Sequence, residues 1–383
     1  MRQTVRLGRV RGIPIGVHWS VLVILLMLVW TLAETLLPDA AAGYPALAYW
    51  LTAIWMAVLF LAALTAHELA HALVAQHYGI SVQSITLWAL GGVSVLDDKP
   101  RSPRAELLIA GVGPLTSLVA AGLFGVLTFP AGLLSSSLLR IGLTWLAGAN
   151  LMLAVFNLLP GAPLDGGRIL TAIVWWIRGD QTVARRAATQ TGAVLGVLLS
   201  GLGALLVLGH AVITGVWLVL LGWYLGFAAR GEQAAVRLSE DLRGIPVSAA
   251  MSAPAVSGQA GQSVAEFAEH TARWCPHRTY PVIDLDGRLA GLLPVAALAS
   301  LPASDRRYAR LARVMIPVAR LRVVHPEDPL LEVVDGLDTT LHTLVVVDRD
   351  RPCGVLTAGD VGRLIGVIRL GAAPAERDLH ALP

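Results

Sequence analysis

"LAALTAHELAHALVAQHYG", residues Leu61 to Gly79, sets two histidines and a glutamate inside an alanine- and leucine-rich run. A helix advances about 100° per residue, so His67 and His71 share one face, one turn apart. HExxH on a helix is a zinc-binding signature: two imidazoles hold the ion, and the adjacent Glu68, not a ligand, can deprotonate a bound water. A charge at the centre of a membrane helix costs of order 2.5 to 3.5 kcal/mol on insertion scales, so an idle Glu68 would be selected against. His77 follows His71 by six residues, which rotates it off that face and makes it structural or interfacial.

The surrounding chain reads as membrane protein. Of its 383 residues, 55% are hydrophobic and only 14% charged, with a mean hydropathy of +0.67, beyond what a water-soluble globule carries. The formal charge of +3 is almost wholly arginine, Lys99 being the only lysine. These cations gather at the ends of apolar runs, which sets topology and argues against a nucleic-acid partner. Runs long enough to cross about 30 Å of hydrocarbon lie near 16–36, 46–76, 105–129, 138–160, 189–210 and 212–229. The first has an apolar core too long for a cleaved signal peptide and is expected to stay as a span. Arg2, Arg6, Arg9 and Arg11 precede it, Lys99, Arg101 and Arg104 follow the second, and Arg178, Arg185 and Arg186 follow the fourth. Both termini are therefore expected on the cytoplasmic side of a cell membrane, with the first connection outside. Between spans two and three, "SVQSITLWALGGVSVLDD" (Ser81–Asp98) is β-branched around a Gly91-Gly92 break and reads as a small hairpin or sheet, covered or interfacial because open strand edges cannot face lipid.

A catalytic zinc takes three protein ligands and keeps one open position. Outside the polar C-terminal third, Asp165 stands in the most strongly marked context, "NLLPGAPLDGGR" (Asn157–Arg168). Pro160 and Pro163 interrupt the helix there and the glycines permit close approach. Broken backbone at membrane depth is tolerated where it lines a cavity. The bland alternative makes Asp165 the cap of a following short helix.

HExxH in an early span, "LWALGGV" (Leu87–Val93), "GVGPLTS" (Gly111–Ser117) and "NLLPGAPLDGG" together resemble the site-2 protease family of intramembrane zinc metalloproteases, over residues 1–230. The resemblance implies zinc held by His67, His71 and Asp165, Glu68 as base, and hydrolysis of a membrane-embedded helix. It also implies that Asn157 holds or polarises substrate near the scissile bond, where a helix-to-helix hydrogen bond is the structural alternative. Substrates of such enzymes are single-span proteins such as anti-sigma factors, membrane-tethered regulators or remnant signal peptides.

After Arg230 the chain turns polar and repeats with a period of about 64 residues, pairing Met251 with Met315 and Asp284 with Asp348. Each copy reads strand, helix, strand, tight turn, strand, helix. The copies resemble a tandem pair of cystathionine-β-synthase (CBS) domains, a cytosolic module that in its family often binds adenine nucleotides and associates into homodimers. "GVLTAGD" (Gly354–Asp360) places Thr357 and Asp360 where such modules contact phosphate or ribose, whereas the first copy has Pro294 and Ala297. The expected order is a transmembrane metalloprotease domain (1–230), linker (231–244), CBS repeats (245–304 and 305–370) and tail (371–383). Cys275 and Cys353 lack metal-binding spacing and read as reduced and buried. The fold class expected is thus a membrane protein of six transmembrane helices and a small membrane-associated β element, followed by a soluble α/β tandem CBS module. The main rival, a CBS-regulated transporter or channel in contact with the same lipid, predicts ionisable groups spread along several spans; here they concentrate at His67, Glu68, His71 and Asp165. A dead scaffold would be expected to have lost the glutamate or a ligand.

Overall fold

A computed structural model describes residues 4–88, 91–96, 100–133, 137–275, 277–334, 337 and 342–370. Arg2, Lys99 and the expected tail at 371–383 lie outside them. The chain divides into two compact units, Met1–Val236 and Arg237–Pro383.

Among the described residues, six helices are long and apolar enough to cross a membrane: Trp19–Ala40, Ala46–His77, Pro103–Ala131, Ser137–Asn157, Gln181–Leu208 and Val212–Asp241. The first comprises α1 (Trp19–Thr31) and α2 (Leu37–Ala40), joined by a π-helical turn at Leu32–Leu36. Then follow α3 (Ala46–His77), α4 (Pro103–Leu133), α5 (Ser137–Asn157), α6 (Asp165–Arg178), α7 (Gln181–Leu208) and α8 (Val212–Asp241). Their outward faces carry large apolar residues, with Leu26, Phe129 and Ile213 all at least 70% exposed, as a lipid-facing surface requires. Three expectations shift. The sixth span was expected to end at 229, but its helix runs on to Asp241 and takes in most of the linker expected at 231–244. The fifth span starts at Gln181 rather than 189, because the Asp180 carboxylate caps it by accepting from the Thr182 and Val183 amides. The fourth ends at Asn157 rather than 160.

Helices α7 and α8 approach closely through glycine. A Cβ on Gly196 would fall 2.7 Å from the Gly222 carbonyl oxygen, and one on Gly203 would fall 2.6 Å from that of Gly215. Small residues let backbones meet where no hydrophobic force distinguishes neighbour from lipid.

The expected hairpin is present as β3 (Val82–Trp88) and β4 (Gly91–Leu96), but the glycine pair opens β4 instead of breaking the structure, with Trp88 opposite Gly91. The basic segment ahead of the first span, expected only to orient the chain, folds as β1 (Val5–Val10) and β2 (Ile13–Val17) around Arg11-Gly12. Both turn residues have positive φ, 48° and 85°, the primed geometry that matches strand twist. β2 then pairs in parallel with β3, giving one sheet of order β1-β2-β3-β4 with β4 at an edge. Ile13, Ile15 and Ile85 from the sheet pack on Ala72, Ala75 and Ile109 of the helices, so the sheet backs the helix that bears His71.

The second unit keeps the repeat. One sheet is formed by β5 (Gly258–Gln259), β6 (Thr279–Ile283), β7 (Leu289–Pro294) and β8 (Ile316–Pro317), and the other by β9 (Val323–Val324), β10 (Thr343–Asp348) and β11 (Arg351–Thr357). Phe267, Tyr280 and Leu293 centre one core, and Met251, Val346 and Leu356 the other. Thr279 and Thr343, 64 residues apart and at equivalent ends of β6 and β10, share a buried 3.0 Å hydrogen bond between their hydroxyls. Cys275 and Cys353 are free, as expected, but only half-buried, and Cys353 packs against the core of the second repeat.

Candidate metal centre

Helix α3 delivers His67 and His71 to one face, and both side chains are buried. Their Nε2 atoms lie 3.2 Å apart, and Asp165 Oδ2 lies 3.2 Å from each. Three donor atoms thus form a near-equilateral triangle across 98 residues of sequence. The outer ring nitrogens are held by α4. His71 Nδ1 donates to the Ile109 carbonyl at 2.6 Å, which leaves Nε2 as the lone-pair nitrogen, and His67 Nδ1 meets the buried Ser117 hydroxyl at 2.8 Å. Such outer bonds fix tautomer and ring angle in histidines that bind metals.

Asp165 is the first residue of α6, and its carboxylate turns to the histidines instead of capping the helix: the cap position, Leu164, has no side-chain bond. The bend that brings it there depends on absent side chains. A Cβ on Gly166 would lie 2.3 Å from the Leu159 carbonyl oxygen, and one on Gly167 would lie 2.4 Å from the Ala162 nitrogen.

Glu68 borders the same cavity, of about 420 Å³, which Asn157, Arg168 and Tyr224 also line. A Cβ on Gly92 of β4 would stand 2.2 Å from Glu68 Cδ, so the strand backbone rests directly against the carboxylate. Asn157, half-buried at the end of α5, makes no side-chain hydrogen bond among the described residues and faces the cavity. His77 ends α3 exposed, apart from the cluster.

The donor set suits zinc: two imidazole nitrogens and one carboxylate oxygen is a catalytic combination, and His67, His71 and Asp165 are the one such group of three among the described residues. The hollow is also shaped for a small occupant. A Cβ on Gly113 would come within 2.1 Å of His71 Nε2 and 2.7 Å of His67 Nε2, so α4 leaves room at the nitrogens that face Asp165. Sequence reasoning did not assign roles to Gly113, Ser117, Ile109, Gly92 or Arg168. "GVGPLTS" was visible as a motif, but which of its members meets an imidazole depends on how α4 is rotated against α3.

In the second unit, Thr357 and Asp360 do come together, as a capping box at the start of the helix Ala358–Arg369. Thr357 Oγ1 donates to Asp360 Oδ2 at 2.6 Å, and the Asp360 amide donates back to Thr357 Oγ1 at 3.3 Å. Ser252 Oγ donates to Asp360 Oδ1 at 2.7 Å, and Arg363 bonds the same oxygen at 2.8 Å. A capping hydroxyl contributes about 1 kcal/mol. Thr357→Ala is therefore expected to lower the opening free energy of that helix by about 1 kcal/mol, read by hydrogen exchange at residues 358–369 in the full chain.

The model for peptidase family M50 matches residues 55–137 and 132–199, and that for the CBS domain matches residues 312–367. Rip3 of Mycobacterium tuberculosis, provisionally named a zinc metalloprotease, is 38% identical over 97% of this chain and 95% of its own length. A Synechocystis protein, also provisionally named a zinc metalloprotease, is 32% identical, covering 91% of each chain. Among solved structures, the site-2 protease from Methanocaldococcus jannaschii aligns with 60% of this chain and 94% of its own, at 26% identity and a TM-score of 0.40.

Proposed function

The chain belongs to peptidase family M50 and is a multi-pass zinc metalloprotease of the site-2 protease type, and from that premise we propose that it hydrolyses peptide bonds in membrane-embedded helical segments, with His67, His71 and Asp165 as zinc ligands and Glu68 as base. The observation that carries the proposal is the triangle of donor atoms, each 3.2 Å from the other two.

Zinc held there supplies Lewis acidity, lowering the pKa of a bound water to about 7 and polarising a carbonyl. The protein's own groups do the remaining work. The Glu68 carboxylate takes a proton from the attacking water and passes it to the leaving amine. The free amide of Asn157 donates to the substrate carbonyl as charge develops on it, a contribution on the usual scale of a few kcal/mol for one such donor. A helical substrate must unwind first, because its carbonyls are otherwise engaged within the helix. β4, an edge strand lying against Glu68, offers the unwound segment a backbone to pair with. Six residues separate His71 from His77 at the end of α3, about 9 Å of helix, so with that end on the cytoplasmic side water reaches the site by a short path.

The basic segment at Arg6, Arg9 and Arg11 and the absence of Lys or Arg between Pro38 and Ala48 support cytoplasmic termini. The CBS pair is proposed as a regulatory or dimerising module. An adenine nucleotide at Thr357 and Asp360 rests on the family likeness alone, since both side chains are already engaged in the helix cap.

Purified protein in detergent should bind one zinc per chain and cleave a single-span peptide, with cleavage lost on chelation and restored by zinc. Cleavage that survives complete removal of the metal would remove the proposal.

A further inference from the structure

Arg168 brings a cation to the cavity that the hydrolytic machinery leaves unassigned. It sits three residues after Asp165 on α6, one turn along the same face. Its Nε donates to Glu106 Oε1 at 2.9 Å, and the Glu106 side chain is only 6% exposed. The pair is a single bond: Glu106 Oε2 is buried with no partner, and Nη1 and Nη2 of Arg168 have none among the described residues. The guanidinium is thus fixed from behind, by α4, while one-third of the side chain stays exposed and lines the cavity. Glu232 lies within electrostatic reach without bonding to it.

With Glu106 neutralising the formal charge, Arg168 offers the cavity oriented N–H donors more than net charge. An acidic side chain is a rare guest in a transmembrane segment. Carbonyl oxygens, by contrast, must appear there as soon as a helix unwinds, and each needs a donor. An extended chain advances about 3.3 Å per residue, and one helical turn advances 5.4 Å, so a donor one turn from Asp165 matches a carbonyl one or two residues from the bond being cut. We propose that Arg168, held by Glu106, is a substrate-positioning residue that donates to a main-chain carbonyl of the unwound segment next to the scissile bond.

The inference rests on the proteolytic reading, and its test separates the two. The probe is a fluorescent single-span peptide of about 20 apolar residues with a central glycine pair, in detergent. Its affinity is measured on metal-stripped full-length protein, KM and kcat on the zinc-loaded protein, and zinc content on every variant. Arg168→Gln is expected to weaken peptide binding and raise KM about ten- to a hundredfold, the range for a lost hydrogen bond to a charged donor, with zinc content and kcat little changed. Arg168→Lys, which keeps the charge and loses the planar fork, should recover only part. Unchanged affinity in Arg168→Gln overturns the inference. So does a loss that merely follows falling zinc content, which would make the pair a clamp between α4 and α6. A wild type that holds zinc and binds the peptide but never cuts it would instead sink the proteolytic reading, leaving the binding result intact.

Discussion

Replacing Glu68 by glutamine is expected to lower cleavage by about 10²- to 10⁴-fold, the usual contribution of a positioned general base, while zinc stays bound at wild-type stoichiometry. The two effects separate because Glu68 lies outside the donor triangle: the three atoms that close at 3.2 Å belong to His67, His71 and Asp165. The amide retains the shape that rests against Gly92 but cannot accept the proton. Metal analysis alongside a peptide-cleavage assay checks both halves. Undiminished cleavage would contradict the assignment of the base, and lost zinc would mean that Glu68 is a ligand.

A single methyl group added to α4 should have a comparable effect by another route. Gly113→Ala places a Cβ 2.1 Å from His71 Nε2 and 2.7 Å from His67 Nε2, closer than atoms not bonded to each other can approach. Either the imidazoles rotate away or α4 retreats, and in both cases the triangle opens. Zinc affinity should fall by at least the 10- to 100-fold typical of disturbed ligand support, and activity with it. Loss of helix stability is a poor competing explanation, since alanine is favoured over glycine inside a helix by about 1 kcal/mol. Gly111→Ala provides the control: it lies on the same helix, its Cβ would meet nothing within 4 Å, and it should bind zinc normally. Equal zinc binding by the two variants would show that Gly113 does not shape the centre.

The parts of this molecule that were legible in its sequence are those written locally. Spans declare themselves by length and hydropathy, HExxH by a four-residue spacing, and the Asp165 bend by two prolines and three glycines within a dozen residues. The repeat shows itself by its period, and Thr279 meeting Thr343 is that same period in three dimensions. What stayed hidden depends on how separate helices face one another. Ser117 lies 50 residues from His67, and Glu106 lies 62 from Arg168; nothing in either local pattern says they touch. The helix α6 shows in the sequence only as the short helix that Asp165 could cap, with no bounds, because a short amphipathic stretch has no span-length signal. At the N-terminus, the arginines drew the reading toward topology and away from the strand alternation of "VRLGRVRGIPIGV".

That N-terminal hairpin imposes an order on biosynthesis. Val17 can pair with Leu87 only after 70 further residues, including two complete spans, have been made. At roughly 5 to 20 residues per second that is a delay of several seconds. For that interval β1 and β2 have only each other, a marginal pair in water, and the four-stranded sheet cannot assemble until the third and fourth strands emerge on the same side of the bilayer. A first helix inserted the wrong way round would strand its hairpin across the membrane from its partner, so this enzyme's competence is decided by the orientation of its first forty residues.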